Sequence, residues 1–354
     1  MSLETLLKER IAASGPLTVA DYMAEALLNP DHGYYTTRAP FGTKGDFTTA
    51  PEISQMFGEL IGLCLAQSWM DQGAPARFTL AEFGPGRGTL MADALRAAAR
   101  VPGFVTAADI VLVEASPRLR KVQADTLDGH DVRWVDGAAE LPLDAPLWCI
   151  ANEFFDALPI RQFVRDADGW RERCIGAPDG ALSFGLAPRG EQPQLNHRLE
   201  DTQDGDVVET CPAAHAILSE LGHRIADQGG VALIIDYGDW RALGDTLQAV
   251  KDHDRADLLD MPGTADITAH VDFEALTQAA APAAHTRLTP QGVFLERLGM
   301  TARAQALAKR LEGAALETHV AAHRRLTHPD EMGNLFKVLG LFPASSAPPP
   351  GLST

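Results

Sequence analysis

Cysteine is scarce in this sequence, with four residues among 354, at positions 64, 149, 174 and 211. They form no Cys-x-x-Cys pair, and His215, His223 and His253 show no ligand spacing. The pattern argues against the usual zinc sites and against a disulfide framework, so we expect no bound metal. Free thiols of this kind are typical of a reducing compartment.

Long apolar runs are also missing, since no stretch approaches the ~20 residues that a membrane-spanning helix requires. The N-terminal segment mixes leucines with charged side chains and has no apolar signal-peptide core. It is also too acidic for a transit peptide. We therefore expect a cytoplasmic protein without a membrane span.

Positive charge is in deficit, because 30 Lys and Arg residues oppose 48 Asp and Glu residues, for a net charge of −18. Such a surface repels phosphate backbones and the sequence shows no basic patch, so nucleic acid is not an expected partner. A basic protein substrate would suit this field. Solubility alone is the simpler explanation for the acidity of the surface as a whole.

Strand-like and helix-like segments alternate through the middle of the chain. Apolar strands are predicted over 78–83, 109–114, 132–135 and 146–151, with helices between them. This alternation predicts an α/β, Rossmann-like fold with a mostly parallel sheet and helices on both faces.

The chain departs from this alternation in three places. Two helices, a polar loop and an apolar helix precede it, short strands with Asp-Gly turns interrupt it, and Ala-rich helices follow it. We expect the Pro-rich end, 347–354, to be disordered. The predicted organisation is an N-terminal helical and lid extension at 1–76, a core at 77–159 and 209–300, a small antiparallel β insertion at 160–208, and C-terminal helices, a final strand and a tail at 301–354.

A glycine-rich turn follows the first core strand. Gly84, Gly86 and Gly88 stand directly before a helix, where bare backbone lets a ligand approach closely. The dinucleotide pattern Gly-x-Gly-x-x-Gly would require glycine where Thr89 stands. Glu82 would repel a pyrophosphate but would face the cationic amino-acid end of S-adenosylmethionine. The segment favours S-adenosylmethionine over NAD, although a plain strand–helix connection is a common alternative.

Two further acids follow the next core strands. Glu114 ends the second strand, where a carboxylate can accept both ribose hydroxyls, and Asp136 follows the third, near the expected adenine. The carboxyl ends of parallel strands line the ligand crevice of an open sheet, so both are predicted to bind the cofactor. A helix N-cap is the alternative for Glu114, and a turn is the alternative for Asp136.

The fourth core strand runs into Glu153 and Asp156, which are separated by two phenylalanines. Class I methyltransferases usually place the target atom at this strand end, so both are predicted catalytic residues. Two carboxylates can hold the planar fork of a guanidinium, which favours arginine as the target. They would draw positive charge toward two nitrogens and leave the third a better nucleophile. The alternative is that both side chains only cap the turn after the strand.

Together these motifs resemble the MidA family, methyltransferases known in mitochondria as assembly factors of respiratory complex I. The resemblance extends from about residue 17 to residue 341. The glycine motif is generic to methyltransferases, whereas 45–52 and 266–273 are specific to the family. The matching segments are 45–52, 82–88, 152–159, 236–238, 265–273, 291–295 and 332–338.

The resemblance implies a class I methyltransferase fold, S-adenosylmethionine as cofactor and arginine methylation of a complex I core subunit. Composition alone favours an ordinary surface loop at 42–52, whereas the resemblance favours a lid. Asp46 is then a predicted catalytic residue, and Glu52 and Asn152 are predicted to bind the cofactor. The family often has a Gly-Thr-Leu-Arg-like run at 244–248, where this chain has no arginine. Without a transit peptide the chain fits a bacterial, cytoplasmic member.

Two other functions stay open at this point. The first is a methyltransferase fold kept as a non-catalytic assembly chaperone, against which the intact glycines and acids argue. The second is an NAD-dependent oxidoreductase, which would need the glycine spacing that this chain lacks.

Overall fold

The computed structural model of the protein describes residues 1–37, 48–251 and 253–354. Its N-terminal part contains α1 (Leu3–Ser14), β1 (Leu17–Thr18), α2 (Val19–Leu28), α3 (Tyr34–Thr37), α4 (Ala50–Ile53) and α5 (Gln55–Asp71). Capping residues set two of these bounds. Gly15 ends α1 with a φ of 90°. The Thr18 hydroxyl accepts the Asp21 N–H at 3.0 Å and so begins α2 with a capping box.

The core begins after α5 and is interrupted by an inserted sheet. Two 3-10 helices, Ala138–Glu140 and Pro193–Arg198, lie in its connections. The first half of the core contains β2 (Phe78–Phe83), α6 (Thr89–Ala98), α7 (Phe104–Ala107), β3 (Ala108–Val113), α8 (Pro117–Thr126), β4 (Val132–Val135) and β5 (Leu147–Asn152). The insertion contains β6 (Arg161–Asp166), β7 (Gly169–Gly176), β8 (Ser183–Leu186) and β9 (Val207–Thr210).

The rest of the chain completes the core and adds helices at one end. It contains α9 (Pro212–Gln228), β10 (Gly230–Asp239), β11 (Gln248–Lys251), β12 (Asp254–Ala256), β13 (Asp266–Thr268), β14 (Val271–Asp272), α10 (Phe273–Ala279), β15 (Ala284–His285) and β16 (Thr289–Pro290). These are followed by α11 (Gln291–Arg297), α12 (Met300–Ala308), α13 (Gly313–Thr327), α14 (Met332–Leu335) and β17 (Phe336–Phe342).

The central sheet has the strand order β15-β17-β10-β5-β2-β3-β4. The strands from β10 to β4 run parallel, and β17 pairs antiparallel with β10. In the insertion, β6, β7, β8 and β9 pair antiparallel, and β1 pairs with β7. This confirms the predicted α/β fold with a mostly parallel sheet and an antiparallel insertion. The domain boundaries given above stay a prediction.

Alternate residues of β5 face two different hydrophobic clusters. Trp148 and Ile150 lie in a cluster with residues of α5 and α6, whereas Cys149 and Ala151 lie in a cluster with residues of α9 and α10. Since successive side chains of a strand point to opposite faces, β5 has apolar contacts on both sides. Helices therefore cover both faces of the sheet, and the site residues gather at its carboxyl edge.

The expected disorder at 347–354 is wrong. Leu352 is buried, with only 8% of its surface exposed, and the Ser353 carbonyl accepts the Arg287 N–H at 2.8 Å. The Arg297 guanidinium also donates to the Gly351 carbonyl at 3.1 Å. Prolines in this segment restrict the unfolded chain, so that docking it loses less conformational entropy than its composition suggests.

Residues 286–288 separate two short strands, β15 and β16, which both pair with β17. The Thr286 hydroxyl accepts the Gly340 N–H at 3.0 Å, in the place of a backbone carbonyl. This side-chain contact interrupts the ladder along β17. Among the described residues, no helix is long and apolar enough to cross a bilayer.

Candidate active site

The glycine turn between β2 and α6 needs glycine for its backbone shape. Gly84, Gly86 and Gly88 have φ values of 58°, 54° and 81°, in the left-handed region that other residues rarely adopt. A Cβ at Gly84 would lie only 2.8 Å from Cδ2 of Phe154. Gly88 N-caps α6 without a side-chain contact. The turn therefore leaves open backbone at the carboxyl end of β2.

Glu82 lies one residue before the end of β2, Asn152 ends the neighbouring β5, and both line the same cleft as Gly84 and Gly86. Glu82 is 3% exposed and Asn152 is 7% exposed. Oε2 of Glu82 and Oδ1 of Asn152 are buried and have no hydrogen-bond partner in the described parts of the chain. Burial raises the pKa of Glu82 to about 8. Unpaired buried acceptors are costly, so these two oxygens fit a ligand that brings hydrogen-bond donors or positive charge.

Glu52 lies at the entrance of this cleft, on α4. Its carboxylate accepts hydrogen bonds from the Thr89 hydroxyl at 2.5 Å and from Arg87 Nη1 at 3.3 Å. Both donors belong to the glycine turn or to the helix after it. The end of the predicted lid segment is thus joined to the turn. Asp46, the other predicted residue of that segment, lies outside the described residues.

Glu114 follows β3 and is held from two sides. Its Oε1 accepts the Ser116 N–H at 2.7 Å, and its Oε2 accepts Nε2 of Gln123 at 3.0 Å. Burial raises its pKa. Ser116, and not Glu114, is the N-cap of α8. Because Glu114 accepts the Ser116 N–H, it still contributes to the start of this helix, as the N-cap alternative predicts in part. A ribose contact by Glu114 stays a prediction.

Gln123 is a residue of this region that the sequence reasoning missed. It is fully buried on α8, and its Nε2 also donates to the Gly86 carbonyl at 2.8 Å. Its Oε1 accepts the Trp134 indole N–H at 2.9 Å. Gln123 thus connects the glycine turn with Glu114. A buried glutamine on an otherwise charged helix gives no distinctive sequence signal.

Asp136 follows β4 but its side chain is 71% exposed and pairs with Arg120. The structure therefore places its side chain in solvent after the end of β4, and it is not among the residues that line the cleft around Glu82. Its predicted contact with adenine stays a prediction.

Glu153 follows β5 in an unusual conformation, with a φ of 53°. Its Oε1 accepts the Ala50 N–H at 2.8 Å and Nδ2 of Asn152 at 3.0 Å. The side chain lines the same cleft as Glu82, and burial raises its pKa. A non-glycine residue held at positive φ is strained and is often found at functional sites.

Two further carboxyl groups interact at this turn, those of the half-buried Asp156 and the fully buried Asp236. The pKa of Asp156 is well above its usual range, first because of burial and then because of the charges of Asp236, Glu153 and Asp266. Burial also raises the pKa of Asp236. Oδ2 of Asp236 accepts the backbone N–H groups that follow Glu153. The cap of this turn is therefore Asp236, a residue that the sequence reasoning did not single out beyond its segment 236–238.

Within the described ranges, no group of three or more His, Cys, Asp or Glu side chains is arranged to hold a metal ion. The cysteines are free thiols, and burial raises the pKa of both Cys64 and Cys149 to about 12. These thiols are protonated at neutral pH and are poor nucleophiles.

Comparisons with known proteins point to one family. Residues 60–291 match a family model described as "Putative S-adenosyl-L-methionine-dependent methyltransferase". The mitochondrial protein arginine methyltransferase NDUFAF7 of Xenopus tropicalis is 36% identical over 367 residues, which cover 95% of this chain and 84% of that protein. Its human counterpart is 37% identical over 366 residues, which cover 95% of this chain and 82% of that protein.

A solved structure supports the same grouping. The crystal structure of a Burkholderia thailandensis protein bound to S-adenosyl-homocysteine is 30% identical, with a TM-score of 0.82. The match covers 99% of this chain and 92% of that chain. The expected cytoplasmic, bacterial location is wrong, because the curated relatives named above are mitochondrial proteins.

Proposed function

The chain belongs to the MidA family of S-adenosylmethionine-dependent methyltransferases, and from this premise we propose that it methylates arginine side chains of a protein. One observation carries the proposal: Glu153 lines the same cleft as Glu82 and Asn152. The Glu153 carboxylate, which is proposed to hold the target, thus lies in the same cleft as the two unpaired oxygens that suit the cofactor. The relatives' names, which describe protein arginine methyltransferases, support the same substrate class.

S-adenosylmethionine is the cofactor, and when bound it supplies a methyl group carried on a sulfonium. We assign its amino-acid end to Glu82 and Asn152, whose unpaired oxygens suit an ammonium group. Glu114 is assigned to the ribose hydroxyls. The remaining proposed contacts are Gly84, Gly86, Gly88, Asp136 and Glu52.

The target guanidinium is assigned to Glu153 and Asp156. Both carboxyl groups have raised pKa values because they are buried, and an arriving cation would favour their charged forms. Two carboxylates that accept N–H groups from a planar fork fix its orientation, which is the main requirement of an in-line transfer. One of them can then accept the proton that the methylated nitrogen releases. Asp46 stays a proposed catalytic residue.

The identity of the protein substrate follows only from the resemblance, which implies a core subunit of respiratory complex I. The net charge of −18 suits a substrate whose target arginine lies in a basic loop. We propose such a loop as the recognised element.

Methyl transfer to matched peptides tests the proposal. The purified protein is incubated with S-adenosylmethionine and a basic peptide from a complex I core subunit, and mass spectrometry with backbone fragmentation locates the added methyl group. We expect methylarginine in this peptide and little product when its arginine is replaced by lysine, because an ammonium cannot use a planar two-point grip. Equal methylation of the lysine peptide would overturn the arginine assignment.

A further inference from the structure

Asp236 is enclosed in the sheet, with no exposed surface. It lies on β10, which runs parallel to β5 with Ile235 opposite Asn152. The Glu153 N–H still donates to the Ile235 carbonyl at 2.9 Å, and the two strands separate after this contact. Asp236 is therefore the first residue of β10 to face the turn that leaves β5.

The carboxylate of Asp236 collects the backbone donors of that turn. Its Oδ2 accepts the N–H groups of Phe155 at 2.8 Å, Phe154 at 3.2 Å and Asp156 at 3.4 Å. Its Oδ1 accepts the Tyr237 N–H at 2.9 Å. Successive N–H groups that converge in this way form a concave site for an anion, and here the anion is part of the protein.

The hydrogen bonds from the turn to Asp236 account for the strained backbone at Glu153. A glutamate with a φ of 53° persists only where its surroundings fix the conformation. On one side Glu153 is fixed by the last contact of the β5–β10 ladder, and on the other side the next three N–H groups are held by Asp236. If these N–H groups were released, the turn could relax and move the Glu153 carboxylate away from the cleft.

We propose that Asp236 is a positioning residue for methyl transfer, which fixes the turn 153–156 so that Glu153 and Asp156 face the target nitrogen. The proposal rests on the function proposed above for those two residues. Asp236 acts through the backbone of the turn, since its carboxylate accepts the N–H groups of Phe154, Phe155 and Asp156.

An amide cannot replace this carboxylate. In Asp236→Asn one oxygen could still face the three N–H groups, but the amide nitrogen would then meet the Tyr237 N–H, donor against donor. Charge-assisted hydrogen bonds are also stronger than neutral ones. The substitution keeps the size of the side chain but removes the charged acceptor that holds the backbone N–H groups of the turn.

The test compares Asp236→Asn with Asp272→Asn. Asp272 also accepts two backbone N–H groups, from Ala275 at 2.9 Å and from Ala242 at 3.1 Å, but it caps α10 and does not contact the turn. For Asp236→Asn we expect kcat with an arginine peptide to fall roughly 100-fold, the scale of a misplaced reacting group. The dissociation constant for S-adenosylmethionine should stay at the parent value. Asp272→Asn should lower thermal stability and keep kcat, so a simple loss of stability is separated from a loss of positioning.

Two outcomes would overturn the proposal: an unchanged kcat in Asp236→Asn, or an equal fall of kcat in Asp272→Asn. If Asp236→Asn does not fold, Asp236→Glu is measured, which keeps the charge but displaces the turn and should also lower kcat without weakening cofactor binding. Glu153→Gln distinguishes the two proposals. If Glu153→Gln is fully active, the function proposed for the turn is wrong. If Glu153→Gln has a low kcat but Asp236→Asn keeps the parent kcat, only the positioning role of Asp236 is wrong.

Discussion

The Thr89 hydroxyl donates a hydrogen bond to Oε1 of Glu52 at 2.5 Å, and this contact connects α4 with the first turn of α6. The helix that follows the glycine turn is therefore fastened to the end of the predicted lid segment. Glu52 is 15% exposed at its side chain, so the bond is largely shielded from water. These two residues therefore couple the position of α4 to the first turn of α6 beside the cleft.

Thr89→Val should weaken cofactor binding by about 1.5–3 kcal/mol, the usual effect of losing a hydrogen bond to a charged group. Glu52 would keep only its longer contact with Arg87. Titration calorimetry with S-adenosyl-homocysteine measures the change, and Thr89→Ser, which restores the hydroxyl, is the control. Parent-like affinity in the valine variant would refute the coupling.

The affinity for S-adenosylmethionine should rise between pH 6 and about 7.5, and Glu82 should cause the rise. Without ligand, burial raises the pKa of Glu82 to about 8, so the carboxyl is mostly protonated in this range. A bound ammonium favours the charged form and lowers that pKa, so that binding releases a proton. Higher pH removes the proton in advance and strengthens binding.

Calorimetry at pH 7 in two buffers with different ionisation enthalpies measures this proton release. Glu82→Gln has no proton to release at this position, so its binding enthalpy should not contain the Glu82 contribution. Equal proton release by the parent and Glu82→Gln would assign the effect to another group.

Glu114→Ala should weaken cofactor binding by about 1.5–3 kcal/mol and also lower the stability of the ligand-free protein by roughly 1 kcal/mol. The second effect is expected because the Ser116 N–H and the Gln123 amide lose their acceptor. Chemical unfolding and calorimetry measure the two effects separately. Ser116→Ala, which removes the N-cap side chain of α8, should reproduce only the loss of stability.

Glu153→Gln should keep cofactor affinity and lose methyl transfer by roughly 100-fold or more. A glutamine oxygen can still accept the Ala50 N–H, so the turn should remain folded. Single-turnover assays with an arginine peptide measure the transfer. Glu209→Gln is a matched control, because Glu209 is a buried carboxylate on β9 that accepts hydrogen bonds from Gln162 and from Thr246. If both variants are fully active, Glu153 only stabilises the turn.

Leu352→Ala should destabilise the protein by about 2–3 kcal/mol, the effect expected when a buried leucine is truncated. The leucine lies in the cluster that covers one face of the sheet. Thermal unfolding measures the change, and Thr354→Ala, at an exposed position, is the control. An unchanged Tm in Leu352→Ala would mean that the end of the chain contributes nothing to the core.

The acids at the strand ends could be found from the sequence because parallel strands bring their carboxyl ends to one edge. Glu82, Glu114 and Glu153 follow strands that the alternation of apolar segments predicts, and the structure places all three at that edge. Their roles toward cofactor and target stay predictions. The glycine turn could also be found from the sequence, since its backbone shape depends on local residues alone.

The residues that support these acids could not be found in the same way. Asp236 and Gln123 act across the fold, on a turn after β5 and on a turn after β2, and no local pattern records such contacts. The prediction of disorder at 347–354 was wrong for a different reason. Its prolines and small residues indicate disorder, but a single leucine and a few backbone contacts are enough to dock it.

The antiparallel strand β17 also has a consequence for how the protein is made. It covers one side of β10 from Ala232 to Tyr237, yet β10 ends at Asp239 and β17 begins only at Phe336. Until it emerges from the ribosome, β10 presents an unpaired edge of apolar residues, and such edges readily add strands from other chains. The sheet is complete only when β17 has been synthesised and has paired with β10, and until then the nascent protein is exposed to aggregation at this edge.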